Sequence, residues 1–132
     1  MTMMHVSYPG KLRTEAQHLD SGAKLLTSAP KDNQGEGDGF SPTDLLATSL
    51  ASCMLTIMGI KARALGVSLE GTHCEVEKIM QASPRKVAEI RVTFQWGPAQ
   101  LSADQREQLK AAGMSCPVML SLDPAIKKTV EW

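Results

Sequence analysis

No charged residue occurs from Leu45 to Ile60. A helix with no charged side has to be covered nearly all round, so this stretch organises everything else in the chain. Its start is well marked: Ser41 is a capping residue, Pro42 suits the first helical position, and Asp44 places a negative charge against the helix N-terminus. Lys61 and Arg63 suit the last turn, and Gly66 ends it. The run is shorter than the ~20 residues a bilayer requires and contains Thr48, Ser49, Ser52 and Thr56. It is expected to be a long buried central helix, with a sheet on one side and a second subunit on the other, rather than a membrane span.

Around this helix the pattern is mostly that of strands. Val6 to Tyr8, Leu12 to Ala16 and Ala23 to Thr27 read as short strands around turns at Pro9-Gly10 and Asp20-Ser21-Gly22. Between them and the helix lies the glycine-rich stretch APKDNQGEGDGF, Ala29 to Phe40, too polar to bury and read as a loop, a lid or an arm crossing to a second subunit. Val67 to Ile79 and Lys86 to Trp96 are expected as two longer strands, the second alternating Ile90, Val92, Phe94 and Trp96 with Glu89, Arg91, Thr93 and Gln95. Ser102 and Gln105 predict a capping box for a polar helix closed by Gly113. Ser115-Cys116-Pro117 opens a short apolar helix, and Lys127 to Trp132 reads as a last strand. Strands and helices do not alternate strictly, which indicates an α+β fold with a mainly antiparallel sheet.

The 132 residues suit one domain, 1–132, with one core. Lysine plus arginine and aspartate plus glutamate are balanced at 14 each, so no overall field draws the chain to nucleic acid or to an acidic membrane. Three cysteines without C-x-x-C spacing argue against a secreted disulfide framework. The start MTMMHVSYPGKLR has neither a signal-peptide core nor an amphipathic transit helix. A cytoplasmic protein is expected.

Two of the three cysteines occupy positions suited to a working thiol. Cys53 lies within the charge-free run, among small neighbours (Ala47, Ala51, Ser52) and the apolar Leu46, Leu50, Met54 and Ile57. Taken alone, such a cysteine is packing material. Cys116 stands directly before Pro117 at a helix start, where the dipole and unpaired N–H groups favour the thiolate. Together they provide a nucleophile and a resolving partner for a cycle of sulfenic acid and disulfide. Cys74 is read as structural, since it alternates with Thr72 and Val76 on a strand. His73 and Cys74 point to opposite faces and cannot share an ion, and His5 and His18 are isolated, so no metal is expected. A thiolate needs a cation nearby. Of Lys11, Arg13, Lys61, Arg63, Arg85 and Arg91, Arg13 stands out because it lies on a predicted strand, with Glu15 or Asp44 to orient it.

FSPTDLLATSLASCMLTIMGI, followed some way downstream by SCPVMLSL, resembles the OsmC/Ohr family of peroxide-handling proteins from about Lys11 to the C-terminus. The resemblance implies an OsmC-like fold of two intertwined subunits with central helices back to back, and a thiol peroxidase cycle. Cys53 then looks like the peroxidatic thiol, Cys116 the resolving one, and Arg13 the catalytic arginine, with Asp44 as an acidic partner. It also implies a homodimer, a hydrophobic hydroperoxide substrate and a small thiol or lipoyl-type dithiol as reductant, with no cofactor. The chain departs from organic hydroperoxide reductases at Thr43, where they carry a glutamate, and so resembles a divergent OsmC branch. Two other functions fit the same residues: a module that binds a hydrophobic ligand between the thiols, and a purely structural dimer.

Overall fold

Ser41 starts the main helix through a reciprocal pair of bonds. Its hydroxyl accepts the Asp44 N–H at 3.0 Å, and the Asp44 carboxylate accepts the Ser41 N–H at 2.9 Å, so two donors out of reach of any helical carbonyl are satisfied by one pair of side chains. With Pro42 as its first residue, α1 runs Pro42–Leu65 and ends where Gly66 turns at a φ of 70°. Ser41 is buried, so Ser41→Ala is expected to cost about 1 kcal/mol, measurable as a lowered midpoint in urea denaturation.

The computed structural model describes residues 2–132 and groups them into two units, one reaching to Leu45 and one covering Leu46–Trp132. In the first, β1 (Met4–Gly10), β2 (Arg13–His18) and β3 (Lys24–Ser28) form an antiparallel meander. β2 begins at Arg13 because Lys11 and Leu12, both at positive φ, still belong to the turn. Register aligns Val6, Ala16 and Leu25 on one face, and Ser7, Glu15 and Leu26 on the other. Among the described residues of this unit no apolar side chain is buried: Met4, Val6, Tyr8, Leu25 and Leu26 are all exposed.

The second unit contains the core. β4 (His73–Ala82) and β5 (Arg85–Gln95) pair antiparallel, and β6 (Lys127–Glu131) lies on the far side of β5. The sheet is antiparallel as expected except at this last pair, where β6 runs parallel to β5. The reason is the connection. A parallel return needs a crossover of a dozen residues or more, and residues 96–126 supply one through α2 (Ala103–Met114) and α3 (Pro117–Ser121). The strand expected from Val67 starts only at His73, because Thr72 N–H bonds to Leu69 O and Gly71 turns at a φ of 83°.

Periodicity decides what the core contains. Ala47, Leu50, Ala51, Met54, Met58 and Ala62 form one buried stripe of α1, at the three- and four-residue spacing of a helix face. They pack with Val87, Ile90, Val92 and Phe94 of β5 and Leu109 of α2. The alternation of β5 is therefore the predicted one. Gly113 lets α2 come close, since a Cβ there would stand 3.0 Å from the Met58 sulfur. In the single chain the opposite side of α1 stays open: Leu46 is 37% and Ile60 60% exposed, and Ser52 and Thr56 also face outward.

Candidate functional site

Cys53 sits where the two faces of α1 meet. At about 100° per residue, it is turned roughly 60° from Leu50 and 100° from Met54, which lie wholly inside the core, while Leu46, Ile57 and Ile60 share its own side. The thiol is consequently half-buried and packs against the core without being sealed in it. Of the apolar neighbours of Cys53 along the chain, Leu50 and Met54 are part of the interior.

Cys116 is brought to Cys53 by the crossover. It is the N-cap of α3, with extended backbone, and its sulfur accepts the Met119 N–H at 3.4 Å while Pro117 opens the helix. Its N–H bonds to Gly113 O at 3.3 Å, which fixes the cap to the end of α2. The residue has no exposure to solvent. Its thiol pKa is raised, first by burial, then by a side-chain hydrogen bond and charge interaction with Cys53, against the lowering effect of the Met119 and Val118 N–H groups. This corrects the expectation that the helix start would make Cys116 the readily ionised thiol. The end of a five-residue helix does not offset removal from water. The pair is thus asymmetric: Cys116 is sealed from water with its thiol pKa raised, while Cys53 is half-buried.

Arg13 has partners other than those expected. Its guanidinium donates from Nη1 to Asp38 Oδ1 at 2.9 Å, from Nη2 to Asp38 Oδ2 at 2.8 Å, and from Nη2 to Glu36 Oε2 at 2.9 Å. Glu15 pairs with Lys24 at 3.2 Å instead, and the Asp44 carboxylate caps α1. Asp38 is pulled down from 3.8 to about 2, chiefly by the hydrogen bond from Arg13 and a second from Ser28. Arg13 itself is raised by Asp38 and, less strongly, by Glu36. Glu36 and Asp38 are the residues the sequence reading missed. The available signal was two acids alternating with glycines, in a stretch read as loop, lid or arm.

Cys74 keeps a packing position. It lies on β4 opposite Phe94, half-buried and packed on the core, and burial pushes its thiol pKa up. His73 is exposed and its Nδ1 lies 3.1 Å from Gly71 O. Among the described residues no group of three or more His, Cys, Asp and Glu is placed to hold a metal ion.

The sequence profile of OsmC-like proteins matches residues 35–131. The chain belongs to the OsmC-like family. Both Cys53 and Cys116 of this OsmC-like chain lie inside the matched region, and Arg13 precedes it. An osmotic stress induced and detoxification response protein of Psychrobacter arcticus 273-4 shares 47% identity over 99% of this chain and 95% of that one, with a TM-score of 0.94. Two more distant structures share the OsmC-like fold. One is the organic hydroperoxide resistance protein OsmC of Legionella pneumophila (21% identity, TM-score 0.78, 99% and 95% covered). The other is the organic hydroperoxide resistance protein OhrB of Bacillus subtilis (15%, 0.66, 99% and 96%). No curated protein matches the OsmC-like chain.

Proposed function

We propose that the protein is a cysteine-based peroxidase for hydrophobic organic hydroperoxides. The observation that carries this reading is the unequal pair of neighbouring sulfurs, one half-buried and the other sealed from solvent with its thiol pKa raised. The Cys53 thiolate attacks the distal peroxide oxygen, the O–O bond breaks, and the leaving alkoxide takes up a proton to depart as alcohol. Cys53 is left as a sulfenic acid, oxidised by two electrons. Cys116 then displaces its hydroxyl, which leaves as water with the Cys116 proton, and a Cys53–Cys116 disulfide forms. A small thiol or a lipoyl-type dithiol returns both sulfurs to thiols by exchange.

Arg13 is assigned as the cation of this cycle, and Asp44 as the residue that fixes the start of the helix bearing Cys53. The open side of α1 and the unburied apolar strands of the first unit support a homodimer, and the unpaired cysteine count supports the cytoplasm as its place. The neighbours named for organic hydroperoxide resistance agree with this substrate class. Intact mass after one equivalent of cumene hydroperoxide tests the reading: each chain should lose two hydrogens and regain them with a dithiol. Unchanged mass would exclude the cycle, and binding of the alcohol without oxidation would point to a ligand-binding module instead.

A further inference from the structure

The glycine-rich segment after β3 supplies both carboxylates that hold Arg13. We infer that Asp38, assisted by Glu36, is the positioning residue for Arg13, so that the orienting carboxylates of this chain come from the loop and not from the helix, whose position 43 is a threonine. The inference rests on the peroxidase reading above, in which Arg13 acts.

Donor geometry is the first support. Of the five N–H groups of a guanidinium, Asp38 takes one from each terminal nitrogen and Glu36 takes the second from Nη2. The Nε–H and one Nη1–H are left for a ligand oxygen. A two-point Asp38 contact fixes the plane of the group as a single contact cannot, and the Glu36 contact resists rotation within that plane.

The loop is also tied down so that these acids arrive together. Arg13 and Ser28 are register partners across β2 and β3, so the segment leaves the sheet beside Arg13. It folds back through Gly35 N–H to Pro30 O at 2.9 Å and Gly37 N–H to Ala29 O at 3.3 Å, and Ser28 N–H closes it onto Phe40 O at 2.9 Å. At Gly35 a Cβ would lie 1.7 Å from the Ala29 carbonyl oxygen, and Gly37, between the two acids, has a φ of +64°. The glycines therefore set the path that brings both carboxylates to one cation. Two negative charges on one positive also leave the clamp net negative, so a free anion gains little there, whereas a neutral hydroperoxide oxygen can accept the remaining donors.

Single-turnover oxidation of Cys53 by cumene hydroperoxide should be followed in wild type, Asp38→Asn, Glu36→Gln, Arg13→Ala, the double variant Arg13→Ala/Asp38→Asn, and Cys53→Ser. Asp38→Asn should be slower by about 100-fold, Glu36→Gln less so, and the double variant no slower than Arg13→Ala alone, with Asp38→Glu regaining part of the rate. Full rate in Asp38→Asn beside a slow Arg13→Ala would overturn the inference and leave the peroxidase reading standing, as would losses that multiply in the double variant. An inert wild type, or a Cys53→Ser as active as wild type, would overturn the peroxidase reading and the inference with it. Carbon NMR of the Asp38 carboxylate tests the clamp without activity. Because the folded value is depressed, the ion pair should be fully present above 3.8 and lost as pH falls through about 2. In Arg13→Ala the midpoint should return toward 3.8, and an unmoved midpoint would mean that no clamp exists.

Discussion

Cys53→Ser is expected to reduce hydroperoxide consumption to the background of buffer, a loss on the order of a thousandfold or more, while Cys116→Ser should still complete one turnover. The two outcomes differ because the sulfurs differ in access. Cys116 has no solvent exposure and its thiol pKa is raised, so in the proposed cycle it takes no part in the first step and is needed only to displace the hydroxyl from oxidised Cys53. Stopped-flow traces with one equivalent of peroxide should show Cys116→Ser reacting near the wild-type rate, and mass spectrometry should find one added oxygen per chain in place of the lost hydrogens. With excess peroxide the same variant should stall and move on to sulfinic acid, for lack of a partner. Equal first-turnover losses in both variants would mean that the thiols act as one unit, contrary to the sequence of steps proposed.

Leu50→Ala should be the most damaging of conservative truncations along α1, at about 2–5 kcal/mol. Leu50 has no exposed surface and packs in the cluster with Ile90, Val92 and Leu109, and the sheet beneath a long helix has little freedom to close the space left behind. Ile60→Ala on the other side removes a side chain that is 60% exposed in the single chain and should shift stability by no more than about 0.5 kcal/mol if that side stays in water. Urea denaturation of both variants at two protein concentrations gives the comparison. A Leu50→Ala cost below about 1 kcal/mol would contradict the core described above. An Ile60→Ala cost that is larger at the higher protein concentration would locate a second subunit on the open face.

Those elements that declare themselves over a few consecutive residues were legible in the sequence. Ser41, Pro42 and Asp44 mark the start of α1, Ser102 and Gln105 form the predicted box at α2, and the alternation from Ile90 to Phe94 gives the buried face of β5. The direction of β6 was not legible, because nothing in Lys127–Glu131 records whether its neighbour runs with it or against it; the length of the intervening chain was the only clue. The carboxylates of Arg13 were hidden for a similar reason. They lie 23 and 25 residues away, in a stretch with no hydrophobic period, and the two acids that the sequence offered, Glu15 and Asp44, are committed to a lysine and to a helix end. For Cys116 the local signal was read correctly and then outweighed: the cap forms, but residues distant in the chain take the sulfur out of water, and burial exceeds what two N–H groups supply.

If the proposed cycle operates, the parallel seating of β6 ties reactivity to completed assembly. Cys116 lies on the crossover that carries the chain from the end of β5 back to the start of β6, and the two strands that it joins are paired with each other. Until β6 is docked, the crossover lacks its second strand anchor. A chain still maturing, or one that has frayed at β6, would then expose Cys53 as a solitary oxidisable group, open to irreversible damage. In the proposed cycle, protection from overoxidation would thus belong to the finished tertiary structure and not to either thiol by itself.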